Sequence, residues 1–195
     1  ELNPNYAETH ANMGVALVAA GQGTAAQEYF VQALRLNPNL PEAHNNLASI
    51  MVGQGRLQEA LPHYRQAIAS RAQYLDAHIN LGIALLWLKR HTEAETKFRH
   101  ALKLSPTSPK ASFYLGEAIA GQGRLPEAVD YYRRAIKRVA RYPEALAGLG
   151  QALLDLGERQ EGIAKLRQAL ELKPELSRAQ RSLKNALGPP AQAID

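Results

Sequence analysis

The chain contains no cysteine, which excludes a disulfide framework and any thiolate metal site. It has no apolar run near the roughly 20 residues that a membrane-spanning helix needs, and no charged-then-apolar leader opens it. It begins "ELNPNYAETH" without a starting Met, so it is expected to be an excised piece or a processed product. Strong charge of one sign is missing too. A net charge of +5 over 195 residues favours nucleic acid or acidic partners only weakly. Ser–His–Asp order, a phosphate-cradling Gly loop and an H-E-x-x-H string are all absent, so catalysis by this segment is not expected. What remains is 46% hydrophobic and 21% charged residues, the balance of a soluble, folded chain.

The feature that is present is repetition. "GQGRLQEALPHYRQAI" at 53–68 returns as "GQGRLPEAVDYYRRAI" at 121–136, 68 residues later (121 − 53). Half of that interval, 34, is the true period. With Ala7 as position one, units span 7–40, 41–74, 75–108, 109–142 and 143–176 without insertion or deletion. Position eight is Gly14, Ala48, Gly82, Gly116 and Gly150. Position twenty is Ala26, Ala60, Ala94, Ala128 and Gly162, and position twenty-four is Phe30, Tyr64, Phe98, Tyr132 and Leu166. Position twenty-seven is Ala in all five.

Each unit reads as two amphipathic helices, over positions two to fourteen and from eighteen onward, with apolar residues three and four apart. Gly21, Gly55, Gly123 and Gly157 mark the turn between them, where a left-handed residue ends a helix. Lys89 stands at that place in the third unit, at a cost. Small residues at eight and twenty let the paired helices approach, and the aromatic at twenty-four is expected to fill the gap between one unit and the next. One pair cannot bury both faces, so units stack and stability becomes a nearest-neighbour sum.

These positions resemble the tetratricopeptide repeat over Ala7 to Leu176. The resemblance implies an all-α fold, a right-handed superhelical solenoid of antiparallel helix pairs. It implies a single array over 1–187, with a polar capping helix at 177–187 and a tail at 188–195. "ELNPN" matches "RLNPN" at 35–39, so it is expected to be the tail of an upstream second helix. The family's Trp at position four is replaced by His10, His44, His78, Ser112 and Leu146. These His are one repeat apart, too far to share a zinc ion, and are expected to pack and hydrogen-bond. Gly162 and Leu166 predict looser packing in the fifth unit.

The resemblance also implies that first helices line a concave groove with positions two, five, six, nine, twelve and thirteen, and that the array is a noncatalytic scaffold for a peptide or partner segment. No cofactor is expected. Asn12, Asn46 and Asn80 at position six can clamp successive peptide groups or hydrogen-bond neighbouring helix ends. Ile79, Ile83, Leu86 and Trp87, with Phe113, Tyr114 and Glu117, are the expected partner-contacting residues in mid-groove. Trp87 replaces Ala19, Gly53, Gly121 and Asp155 at its position, the pattern of an anchor or of a core residue packed on the next repeat. Glu8, Glu42, Asp76 and Glu144 make one rim acidic, and Lys110 interrupts it.

The basic pair that grips a chaperone's C-terminal carboxylate in some members is missing: position five is Ala11, Asn45, Ile79, Phe113 and Ala147. Arginines such as Arg65, Arg99 and Arg133 make the outer face basic, but few aromatics interleave, so nucleic acid is not the expected partner. The Asn row is similar to that of O-linked N-acetylglucosamine transferases, which makes a substrate-recruiting segment of a larger enzyme the alternative. Self-assembly through an open N-terminal end is a third. The Ala- and Arg-rich repeats favour a bacterial source and a cytoplasmic or periplasmic setting.

Overall fold

A computed structural model describes residues 4–188. Among these residues there are eleven α-helices and no strand. In chain order they are α1 Pro4–Ala19, α2 Gly23–Leu36, α3 Pro41–Gly53, α4 Leu57–Ser70, α5 Leu75–Trp87, α6 His91–Leu104, α7 Pro109–Ala120, α8 Leu125–Arg138, α9 Pro143–Asp155, α10 Arg159–Leu172 and α11 Ser177–Leu187. The second helix of every unit therefore covers the same places, seventeen to thirty, one residue earlier than the spacing predicts. The chain forms two compact units, divided between Leu104 and Ser105. No helix among the described residues is long and apolar enough to cross a membrane.

Local chemistry sets the helix ends. The turn residues Gly21, Gly55, Gly123 and Gly157 have φ between 74° and 86°, and Lys89 takes the same left-handed conformation at 61°. That conformation costs a residue with a Cβ on the order of 1–2 kcal/mol. At the other end of the second helices, the N–H groups of Asn37, Arg71, Val139 and Lys173 donate to the carbonyls of Ala33, Ala67, Ala135 and Ala169. The chain then turns extended, and Pro41 and Pro143 open the next helices at a place where no N–H is needed.

Packing within each pair follows from the small residues. A Cβ added at Gly82 would lie 2.6 Å from the Phe98 ring, at Gly14 2.7 Å from Phe30, and at Gly116 2.8 Å from Tyr132. The aromatic thus rests first on position eight of its own unit, not only in the gap before the next. The Ala at twenty and twenty-seven beside it are fully buried in the first four units.

The fifth pair is closer than expected, not looser. A Cβ at Gly162 would lie 2.9 Å from the Gly150 carbonyl oxygen, so two glycines bring the backbones of α9 and α10 together, and Leu166 is fully buried over them. At the N-terminus Pro4 and Asn5 begin α1, whereas their equivalents Pro38 and Asn39 lie in the turn after α2 ends at Leu36. Residues 1–3 of "ELNPN" and residues 189–195 of the tail lie outside the described residues.

Candidate functional site

An α-helix advances about 100° per residue, so positions two, six, nine and thirteen share one face within an arc of roughly 60°. In the first unit the three first helices show one trend along this face. α1 carries Glu8, Asn12, Val15 and Ala19; α3 carries Glu42, Asn46, Ser49 and Gly53; α5 carries Asp76, Asn80, Ile83 and Trp87. Each runs from a carboxylate through an amide to a small or apolar end. Glu8 and Asp76 are exposed, while Glu42 pairs with Arg71 at 2.6 Å. A cavity of about 280 Å³ opens beside Glu8, Asn12, Glu42 and Arg71.

Asn45, which sequence reasoning treats only as a missing basic clamp residue, organises the amides. Its Nδ2 reaches Asn46 Oδ1 at 3.4 Å, a long contact, and its Oδ1 accepts from Asn80 Nδ2 at 3.1 Å. The arrangement leaves the Asn46 amide nitrogen and the Asn80 carbonyl oxygen to point elsewhere, one a donor and one an acceptor. Asn12 is exposed, and Asn46 and Asn80 are half-buried.

Trp87 is 56% exposed, so it is not a core residue. Ile83 and Leu86 beside it on α5 are half-buried. Ile79 is only 2% exposed and Phe113 6%, and the other position-five residues, Ala11, Asn45 and Ala147, are buried as well. Position five therefore forms a floor under the face instead of the face itself. The reason is visible at Asn45, to which Asn80 of α5, the first helix of the next repeat, donates, and at Phe113, whose ring meets that of Tyr142 at 5.2 Å. The position-four histidines hydrogen-bond as expected. Nε2 of His44 donates to Pro38 O and Nε2 of His78 to Ala72 O, each at 2.9 Å, and His10 Nδ1 donates to Tyr6 O at 2.7 Å.

The second unit uses the same positions differently. Glu117, expected to face a partner, is engaged within the chain. Tyr132 Oη donates to its Oε1 at 2.5 Å, and Arg178 of α11 donates to its Oε2 at 2.6 Å. Gly148, at position six where the first unit has Asn, makes room for this network: a Cβ there would lie 2.8 Å from the Tyr132 ring and 3.1 Å from Glu117 Oε1. Burial and the adjoining carboxylate push the Tyr132 phenol well above the ordinary tyrosine range, which keeps it a donor. Glu144 is bound by Lys173 at 2.9 Å; burial opposes its ionisation, but the ammonium and a backbone N–H hold its carboxyl below the usual range. Gln151 donates to Asp155 and accepts from Ser182 of α11. Tyr114 lines a cavity of about 280 Å³ with Pro109, Lys110, Val139 and Tyr142.

A pairing rule within the repeats could have revealed part of this. Where position twenty-four is Tyr, position nine is polar: Ser49 Oγ lies 3.0 Å from Tyr64 Oη, as Glu117 meets Tyr132. Where position twenty-four is Phe, position nine is apolar, Val15 and Ile83. The hydroxyl needs a partner when buried, and the ring without one does not.

The family model for the tetratricopeptide repeat matches residues 12–74, 51–109, 99–145 and 120–177. No curated protein matches the sequence. Among solved structures, a thermophilic TPR protein of Thermus thermophilus is similar with a TM-score of 0.72 and 25% identity, over 93% of this chain and 98% of that one. MamA of Desulfovibrio magneticus RS-1 gives 0.79 and 18% identity over 91% and 99% of the two chains. YrrB, described as a TPR protein with an unusual peptide-binding site, gives 0.74 and 20% over 89% of each. With paired helices in register and a family match from residue 12 to residue 177, the chain belongs to the tetratricopeptide repeat family, whose fold is a protein–protein interaction scaffold.

Proposed function

We infer that the chain is a noncatalytic scaffold that holds a peptide or partner segment in its concave groove, on the face of its first helices. In the first unit Asn12, Asn46 and Asn80 bind the partner's backbone, and Ile83, Leu86 and Trp87 bind its apolar side chains, with Ile79 as floor. In the second unit Tyr114 contributes a pocket wall over Phe113. Glu117 enters this reading only as a structural residue. The observation that carries it is Trp87, a large ring 56% exposed at a position where Ala19 and Gly53 stand in the other repeats of its unit. An exposed indole with small neighbours is the arrangement of a binding anchor. YrrB, a similar fold described by its peptide-binding site, supports it by analogy. The test is a peptide array probed with wild type, Trp87→Ala and Asn46→Ala. Loss of bound spots in both variants is expected, and equal binding by all three proteins rejects the groove.

A second reading is self-association through α1, on which Tyr6 is 61% and Met13 48% exposed. Leu47 and Leu81, the equivalents of Met13 that follow another pair in the first unit, are buried. Sedimentation at several concentrations tests it; a monomer throughout removes it.

A further inference from the structure

The face of the first unit has two unlike edges and a polar middle. Eleven residues separate Glu8 from Ala19 and Asp76 from Trp87, which is about 16 Å along each helix. At one edge stand the carboxylates Glu8, Glu42 and Asp76. Glu8 and Asp76 are exposed and have no cationic partner among the described residues, and a cavity opens between Glu8 and Glu42. At the other edge stand Val15, Val18 and Trp87, all well exposed, with Ile83 between Trp87 and Asn80. The three Asn lie between the edges, nearer the carboxylates.

A helical ligand satisfies its own backbone and would leave the Asn amides without a task. An extended chain has a free N–H and C=O at each residue. Here Asn45 ties up Asn46 Oδ1 and an Asn80 N–H, which leaves a donor at Asn46 and an acceptor at Asn80. A chain lying along the Asn row sends successive side chains to opposite sides. Alternate residues then reach the carboxylates, and the residues between them reach the valines and Trp87.

We propose that the ligand of the first unit is an extended segment in which basic residues alternate with apolar ones, its backbone on Asn12, Asn46 and Asn80. This deepens the groove reading and rests on it. Charge complementarity selects the cation: Arg71, the residue that lines the cavity with these carboxylates, is already bound to Glu42. The geometry selects the alternation, because a block of basic residues followed by a block of apolar ones would put half of each set on the wrong edge.

The test selects binders to the full chain from a random-peptide display library. A winning peptide is then measured by fluorescence anisotropy beside an isomer with its basic and apolar residues in separate blocks. Winners that alternate basic and apolar residues are expected. The blocked isomer should bind about tenfold more weakly, as should the winner to the Glu8→Lys/Asp76→Lys variant, and added salt should weaken binding. Winners that lose binding in Asn46→Ala and Trp87→Ala but show no alternation, or that bind as well in blocked order, overturn this proposal and leave the groove reading standing. Winners indifferent to both alanine variants, or no winners at all, overturn both.

Discussion

In the first unit the residues at position six are Asn12, Asn46 and Asn80, and the carboxylates of Glu8 and Asp76 lie exposed. In the second, Tyr114 and Gly148 hold that position, and Glu117 and Glu144 are each bound by a cation of the same chain, Arg178 and Lys173. The skeleton beneath is shared: Ala at twenty-seven throughout and, except for Gly162 and Leu166 of the fifth repeat, Ala at twenty and an aromatic at twenty-four. Helix packing leaves the outward positions free, so the same face of the repeat is open in one unit and locked by internal bonds in the other. The two units also differ in titration. All six histidines fall before Leu104, and the second unit has none.

The strongest way to break the contrast is to make the second unit resemble the first. Gly148→Asn drives a side chain into Tyr132 and displaces Glu117. A loss of about 3 kcal/mol in chemical unfolding of α7–α11 is expected, from overpacking and a stranded carboxylate. A matched pair of hydroxyl deletions comes next. Tyr132→Phe removes a bond to a carboxylate and should cost about 2 kcal/mol, whereas Tyr64→Phe removes one to the neutral Ser49, which keeps its bond to the Asn45 carbonyl, and should cost about 1 kcal/mol or less. Equal losses would mean that Glu117 contributes no more than a serine.

Acid separates the units more gently. Burial lowers the His63 and His78 values below the ordinary 6.5, assisted by His44 against His63 and by His100 and Lys97 against His78, while the Ala72 carbonyl partly opposes the second shift. A depressed histidine is neutral in the folded state while the unfolded chain takes up protons. The first unit is therefore most stable above about pH 6.5 and weakens as pH falls below it. Hydrogen exchange at pH 7 and pH 5 should show faster opening of α3–α6, reduced in His63→Gln/His78→Gln, with little change in the second unit. The smallest effect is at the turn: Lys89→Gly relieves the left-handed strain and should add about 0.5–1 kcal/mol to the stability of α5–α6 in urea titrations.

The helix pairs, their turns and the left-handed place of Lys89 were legible in the sequence because each depends on residues within one period. Trp87 was identifiable as a departure from its row, but that it stands exposed and not packed as core required the structure. The Glu117–Tyr132–Arg178 network was not legible. Its members lie up to 61 residues apart and meet only because Gly148, which reads as an empty place in a row, is the space they occupy. Position five was misjudged for a related reason: Asn45 and Phe113 meet Asn80 and Tyr142, which belong to the next repeat or the loop that leads to it.

The coupling between the ring at position twenty-four and the side chain at position nine bears on anyone who would shuffle these modules. Transplanting a tyrosine without its serine or glutamate would leave a hydroxyl sealed in with nothing to receive its proton, and a phenylalanine set against a glutamate would strand a charge. Grafts that move both residues together should be the more stable, and those that split them the less.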